Sequence, residues 1–139
     1  MLRFIAPALS LLLALPLAAN AASKQEYELT QMLEKVARES SVGTPRAINE
    51  DILDQGYTVH GPQLINHLSV RASHAQQMRA NPDQVRDQLG ASVCNNTSYR
   101  QLLAKGAVLT YEFTEYRTNS PVATEYFNAD SCSLKKQKK

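Results

Sequence analysis

Residues 94–132 read CNNTSYRQLLAKGAVLTYEFTEYRTNSPVATEYFNADSC, and the rest of the predicted fold is built outward from this segment. Its first part places Tyr99, Leu102 and Leu103 at i, i+3 and i+4, which is typical of the apolar face of a helix. Gly106 follows, and glycine readily adopts the left-handed backbone conformation in which many helices end. The segment therefore begins with a predicted helix that stops before Gly106.

The periodicity changes after Gly106. Leu109, Tyr111 and Phe113 alternate with polar residues, and this period of two indicates a strand with one apolar and one polar face. Residues 118–121 (TNSP) have the composition of a turn, and residues 122–127 form a second predicted strand. The two strands are predicted to pair as an antiparallel hairpin.

Cys94 and Cys132 stand at the two ends of this segment and are the two cysteines of the chain. Their spacing is far too wide for a CxxC redox motif, and no histidine lies close by in sequence to complete a zinc site. We therefore predict one disulfide, which would stabilise the fold by about 4 kcal/mol through loop entropy.

The N-terminus has the pattern of a secretory signal peptide. Arg3 is followed by the apolar residues 4–18, and residues 19–21 (ANA) form a small-x-small cleavage site. The apolar run is short for a membrane anchor, and no later segment could cross a bilayer. We expect a signal peptide at 1–21 and a single domain at 22–134. The protein is then exported, either periplasmic or secreted, and the oxidising conditions of these compartments favour disulfide formation.

Charge is unevenly distributed along the chain. Four lysines lie in residues 135–139, which are expected to form a basic disordered tail with at most a weak contact with anionic lipid or polysaccharide. In the predicted domain, acidic residues outnumber basic ones, so a nucleic-acid-binding surface is not expected.

The region before Cys94 supplies further elements. An amphipathic helix is predicted from Ser23, with Ser23 and Glu26 as a capping box, to about Glu39. Short helices are predicted over 72–80 and from Asn81, as N-cap, to Cys94.

Residues 63–71 are ambiguous between strand and helix. A strand would pair with the strand around Tyr57 as a second hairpin, whereas Pro62 would suit the start of a helix. We favour the hairpin. The predicted fold is α+β, with an antiparallel sheet of about four strands and three or four helices on one face.

Several motifs together resemble a known family. They are residues 89–96 (LGASVCNN), Leu103 with Gly106, Tyr111 with Phe113, and residues 39–45 (ESSVGTP). The sequence is similar in these segments to the quorum-sensing-regulated virulence factors of pseudomonads, a family of small exported proteins. The resemblance implies secretion and a role with a host or in envelope stress. It transfers no catalytic residue.

The sequence contains few residue patterns that indicate metal binding or catalysis. His60, His67 and His74 are spaced by seven, but Gly61 and Pro62 interrupt a common helix, so no metal site is predicted. A paired-carboxylate hydrolase would need Glu112 and Glu125 to meet across the hairpin, where a solvated face is the simpler expectation. No glycine-rich phosphate loop or nucleophile elbow is present, so no cofactor and no catalytic residue is predicted.

The tyrosines are the best candidates for binding, since tyrosine is enriched in protein interfaces. Tyr57, Tyr116 and Tyr126 are predicted as a possible interaction surface, while Tyr111 is expected to pack against the helices. The predicted function is a non-catalytic exported factor that binds a protein or envelope component. The alternatives are a small periplasmic hydrolase and an inhibitor or chaperone-like adaptor.

Overall fold

The computed structural model describes residues 17–134, and the side chains of residues 24–134. The predicted basic tail and most of the predicted signal peptide lie outside this range. The helices are α1 (Leu17–Ser40), α2 (Ala72–Ala80), α3 (Pro82–Cys94) and α4 (Thr97–Ala104), followed by a 3₁₀ turn at Asp130–Cys132.

The strands form one mixed sheet. They are β1 (Arg46–Ala47), β2 (Ile52–His60), β3 (Gln63–Val70), β4 (Val108–Glu115) and β5 (Pro121–Phe127), in the order β1-β2-β3-β4-β5. The prediction of about four antiparallel strands is corrected in two respects: the described residues form five strands, and the central pair β3–β4 is parallel. The parallel pairing arises because α2, α3 and α4 return the chain to the end of the sheet where β3 began.

The ambiguous residues 63–70 are a strand. β2 and β3 pair antiparallel around a two-residue turn, Gly61-Pro62, and His60 lies opposite Gln63. Gly61 has φ +59°, a conformation that glycine adopts without the steric cost that a side chain adds. The alternating Leu64, Asn66 and Leu68 are all buried, so the period-two pattern decided between the two interpretations.

The four α-helices of the described chain pack on one face of the sheet, as predicted. Near the β2–β3 turn, Leu33 of α1 and Leu103 of α4 pack with Leu64 and Leu109 of the sheet. Towards the other end, residues of α2 and the sheet form a second buried cluster: Leu68, Val70, Ala75, Met78 and Phe113. No helix within residues 17–134 lies on the opposite face of the sheet.

The predicted helix starts were only partly right. The described part of α1 runs from Leu17 to Ser40, so Ser23 lies inside the helix and is not its first residue as predicted. Asn81 precedes α3 as predicted, but its side chain makes no cap and instead donates to the carbonyl of Gln77. At the start of the next helix, α4, Asn96 does form a side-chain cap: its side-chain oxygen accepts a hydrogen bond of 3.0 Å from the N–H of Tyr99.

The disulfide prediction is confirmed. Cys94, at the end of α3, is bonded to Cys132 in the 3₁₀ turn, with their Cα atoms 5.3 Å apart. Gly90 lies one turn earlier in α3, and a Cβ at this position would stand 3.3 Å from the ring of Phe127. The absence of a side chain at Gly90 thus allows α3 to pack closely against the end of β5.

Candidate interaction surface

The sheet face that the helices leave uncovered, called the open face below, is the candidate interaction surface. Every second residue of β2 to β5 lies on this face, and the residues between them face the core. Its central residues are Thr58, Ile65, His67, Thr110, Glu112, Thr124 and Tyr126.

The middle of the open face is polar. His67 Nε2 lies 2.6 Å from Thr58 Oγ1 on β2, which is hydrogen-bond distance. His67 Nδ1 lies 3.9 Å from Glu112 Oε1 on β4, too far for a hydrogen bond but within ion-pair reach when the imidazole is protonated. About a third of the His67 side chain and somewhat more of Glu112 remain exposed, so this row is in contact with solvent.

A more apolar row lies beside it, nearer the β2–β3 turn. Ile65, Thr110 and Tyr126 are directly opposite one another on β3, β4 and β5. Tyr126 is 61% exposed, whereas Thr110 between them is buried. Among the described residues, Thr110 Oγ1 is the buried side-chain oxygen that has no hydrogen-bond partner.

The other end of the open face is concave. A groove of about 330 Å³ is bordered by Leu53 and Ser69 of the sheet, by Tyr116 immediately after β4, and by the β1–β2 loop. Backbone hydrogen bonds fix its walls, from the N–H of Arg71 to the carbonyl of Asp51 at 3.0 Å and from the N–H of Tyr116 to the carbonyl of Val70 at 2.7 Å. The groove is therefore largely preformed. The sequence did not predict it, since it depends on how the loop folds over the sheet.

The predicted tyrosine surface is only partly assembled. Tyr116 and Tyr126 are exposed on the open face, six residues apart in strand register, or about 20 Å. The prediction for Tyr57 is corrected. Tyr57 pairs with Asn66 on the helix-covered side and packs against the core, so it cannot share a surface with Tyr126. Alternation along β2 does not reveal which of its two faces is covered.

Tyr57 and Tyr111 lie together beneath the helices, as expected for Tyr111. Burial raises the pKa of both hydroxyls well above the ordinary tyrosine value, and the neighbouring Tyr99 raises it further. Tyr111 also packs edge-to-face on Phe127, with ring centroids 6.0 Å apart. These two tyrosines therefore act in packing.

The titratable residues singled out in the sequence are dispersed. Glu112 and Glu125 project from opposite faces, because Glu125 pairs with Tyr111 in register and contacts Arg86 of α3 at 3.1 Å. That contact raises the pKa of Arg86. His74 lies near Asp51 at 3.9 Å, away from His67. Among the side chains of residues 24–134, no three potential metal ligands come together.

A second groove lies at the opposite end of the molecule from Tyr116. It has a volume of about 480 Å³ and separates α1 from the β2–β3 and α4–β4 turns. Glu26 and Lys105 are its ionisable lining residues, and Leu29 and Pro62 contribute apolar surface. It does not contain a pair of groups arranged for acid–base chemistry.

The family of the chain follows from a match over residues 22–133 to the family described as "Putative quorum-sensing-regulated virulence factor". The chain belongs to this family. The resemblance seen in the sequence is thereby confirmed. No curated protein matches the sequence.

Solved structures support the same conclusion. A crystal structure of a "putative secreted protein" from Pseudomonas aeruginosa is 78% identical, with a TM-score of 0.76, over 78% of this chain and 96% of that one. The predicted export, to the periplasm or medium, is confirmed by this relative. Within residues 17–134, no helix combines the length and apolar character needed to span a membrane.

Two more distant structures share the fold. One is the type 2 secretion system pilotin EpsS of Vibrio vulnificus, with 15% identity and a TM-score of 0.68, over 79% of this chain and 96% of that one. The other is the type II secretion system pilotin AspS of Vibrio cholerae, with 17% identity and a TM-score of 0.66, over 81% and 99%. At these identities the likeness concerns the fold alone.

Proposed function

We propose that this exported protein is a non-catalytic adaptor that binds a protein of the cell envelope through its open face. The observation that carries the proposal is the one-sided packing of the sheet within residues 17–134: four helices cover one face, while the other presents Tyr116 and Tyr126 to solvent. Sheets in small domains often leave one face wet, but such faces are usually polar. Exposed tyrosines, with Ile65 in the same row as Tyr126, suit a protein contact.

The likeness to two secretion-system pilotins supports an envelope partner. Those proteins belong to a machine of the bacterial envelope, and this chain has the same fold and is exported. A shared fold does not by itself transfer a function. For this reason the proposal rests on the open face of this chain and takes the pilotins as support for the class of partner. An inhibitor or chaperone-like adaptor would use the same surface.

The alternative is a small hydrolase, and the contact between Thr58 and His67 is the observation that favours it. A hydroxyl 2.6 Å from an imidazole, with a carboxylate 3.9 Å from the other ring nitrogen, has the order of a nucleophile, base and orienting acid. However, the three groups lie on an exposed sheet surface rather than in one of the grooves described above. Ester hydrolysis also requires exclusion of water and an oxyanion donor, which this surface does not offer.

Site-specific photo-crosslinking in living cells tests the proposal. A photoreactive residue is placed at Tyr126 or at Thr124 on the open face, and as a control at Gln76, which is exposed on α2. The same discrete adduct is expected from Tyr126 and Thr124 and none from Gln76. Adducts from Gln76 alone would place the contact on the helices and contradict the proposal.

A second experiment separates binding from catalysis. His67→Ala and Glu112→Ala are expected to leave any biological activity intact, because each shortens a partly exposed polar side chain and removes no aromatic anchor. If either variant stays folded and still gives the Tyr126 adduct but abolishes activity, and Thr58→Val does the same, the hydrolase replaces the adaptor.

A further inference from the structure

The four long strands of the sheet, β2 to β5, contain four acidic residues and neither lysine nor arginine. Three of the acids contact an arginine from outside these strands: Asp54 lies 3.8 Å from Arg46, Glu115 3.5 Å from Arg79, and Glu125 3.1 Å from Arg86. The fourth acid is Glu112, whose ion-pair contact in the described structure is the imidazole of His67, at 3.9 Å. Within residues 24–134, Glu112 is therefore the strand carboxylate that has no ion pair with lysine or arginine.

Glu112 lies at the centre of the open face. It stands between His67 on β3 and Thr124 on β5 in the strand register, and 44% of its side chain is exposed. Because β2 to β5 contain no lysine or arginine, no permanent positive charge on these strands opposes its carboxylate. The groove beyond this row is lined by residues of both signs. The centre of the open face is thus acidic, although it carries few charges.

An exposed aromatic ring accompanies this carboxylate. Thr124 lies opposite Glu112, and Tyr126 is two residues farther along β5 on the same face, so Glu112 and Tyr126 are diagonal neighbours. Diagonal neighbours in an antiparallel pair lie about 7–8 Å apart, within reach of one long side chain. Arg117 lies 5.9 Å from the ring centre of Tyr116, whereas no cation of the described residues lies over the ring of Tyr126. The ring and the carboxylate are thus both available to a cation from another molecule.

We propose that the protein bound by the open face presents an arginine to Tyr126 and Glu112. A guanidinium group is planar, so it can lie against the tyrosine ring while its N–H groups donate to the carboxylate. A lysine ammonium is a compact and strongly hydrated charge, which suits this pair of contacts less well. The contacting surface of the partner is therefore basic. The inference rests on the proposed function and adds the chemistry of the partner.

The two contacts are expected to contribute unequally to binding. Tyr126 is the aromatic anchor, and its loss is expected to weaken binding tenfold or more. The ion pair with Glu112 is partly exposed, and loss of such a pair typically weakens an interaction by no more than about fivefold. Glu112→Ala and Glu112→Gln should therefore bind with modestly reduced affinity and retain biological activity. Glu112→Lys, which would repel the arginine, should weaken binding at least about tenfold.

Photo-crosslinking in living cells tests the sign of the charge that the partner presents. The photoreactive residue is placed at Thr58, which is exposed on β2, three strands or about 14 Å from Thr124. Thr124 is then changed to glutamate or to arginine, two long side chains of opposite charge next to Glu112. The yield of adduct is expected to stay the same or rise in Thr124→Glu and to fall at least about tenfold in Thr124→Arg. Thermal unfolding confirms that each variant is folded.

Gln76→Glu and Gln76→Arg are the matched controls, because they place the same two charges at an exposed position of α2. Both should give the yield of the unchanged protein. Equal losses in Thr124→Glu and Thr124→Arg would show that size rather than charge matters and would overturn the inference, as would a larger loss in Thr124→Glu. If the unchanged protein forms no adduct from Thr58, Thr124 or Tyr126, the proposed function fails and the inference fails with it.

Mass spectrometry of the adduct identifies the contact. The crosslinked peptide of the partner is expected to contain an arginine, and replacement of this arginine by glutamine should abolish the difference in affinity between the unchanged protein and Glu112→Gln. A difference that persists after this replacement would refute the pairing with Glu112. An adduct with the mass of two copies of this chain would overturn the inference in favour of self-association.

Discussion

The buried carboxylate of Asp54 accepts a hydrogen bond of 3.0 Å from the side-chain amide of Asn66 on the neighbouring strand. Both side chains lie under the helices and are 5% exposed or less. The N–H of Gly56 also donates to Asp54, at 2.9 Å, where β2 shifts register. This polar pair joins β2 to β3 inside an otherwise apolar core.

Substitution of Asn66 by leucine is predicted to destabilise the protein by about 1–3 kcal/mol, because a buried carboxylate loses a hydrogen-bond donor. Urea denaturation of the variant measures this loss. Arg46→Gln is the control: its contact with Asp54 is 3.8 Å long and its side chain is 59% exposed, so a cost below about 1 kcal/mol is expected. An equal loss of unfolding free energy in both variants would contradict the conclusion that Asn66 is the more important partner of Asp54.

Removal of the disulfide is predicted to cost about 4 kcal/mol, since it releases a loop of 38 residues in the unfolded chain. The Cys94→Ala/Cys132→Ala double variant is compared with the unchanged protein in urea, with and without reductant. Reductant should lower the stability of the unchanged protein towards that of the double variant and leave the variant unaffected. Insensitivity of the unchanged protein to full reduction would contradict this account.

The two buried tyrosines predict a loss of stability in alkaline solution. Burial raises the folded-state pKa of Tyr57 and Tyr111 above the unfolded value near 10, so their contribution is complete below about pH 10 and is lost as pH rises above it. Tyr111→Phe is expected to flatten the decline measured by urea denaturation at increasing pH. Tyr126→Phe, which removes the same hydroxyl from an exposed position, is the matched comparison. A slope that does not change when Tyr111 is replaced would contradict the assignment.

The unpaired hydroxyl of Thr110 predicts a stabilising substitution. Valine has nearly the same shape and no polar group to leave unsatisfied, so Thr110→Val is expected to be neutral or to stabilise by up to about 1 kcal/mol. Thermal unfolding measures the difference. Thr114→Val serves as the comparison, because Thr114 Oγ1 has a long contact of 3.5 Å with the carbonyl of Leu68. A clear destabilisation by Thr110→Val alone would reveal a hydrogen bond at that hydroxyl.

Local periodicity was sufficient to predict much of this fold. The alternation of Leu109, Tyr111 and Phe113 identifies β4 and its buried face, and Cys94 and Cys132 are bonded as expected. The parallel pairing of β3 and β4 was not predictable in the same way, because it depends on where three intervening helices leave the chain. The prediction that Tyr57 belongs to the interaction surface was wrong. The spacing of Tyr57 and Val59 shows that the two residues share one face of β2, but it does not show which face the helices cover.

Contacts of Gly56 with a distant segment show why local sequence patterns do not predict every feature of the fold. It has φ +106°, and a Cβ at this position would stand 3.1 Å from Thr44 Oγ1 and 3.3 Å from Ser41 Oγ. Ser41 Oγ also accepts from the N–H of Tyr57 at 2.9 Å. The loop after α1 thus packs on the register shift in β2, a contact between segments that no local pattern in either one indicates.

The open face gives the functional prediction. Tyr126→Ser and Thr124→Arg alter exposed side chains, so each is expected to change stability by less than about 0.5 kcal/mol. Tyr126→Ser should nevertheless weaken partner binding, since loss of an aromatic anchor in an interface typically costs tenfold or more. Thr124→Arg should weaken it as well, because it places a long charged side chain in the middle of the contact. Gln76→Arg on α2 is the matched control for an added charge away from this surface.

The most direct measurement is the affinity of the crosslinked partner, once purified, for these three variants and the unchanged protein. The account predicts that the dissociation constant rises at least about tenfold for Tyr126→Ser and Thr124→Arg and stays unchanged for Gln76→Arg. Unaltered affinity in both open-face variants, or a loss confined to Gln76→Arg, would contradict the assignment of this sheet surface to partner binding.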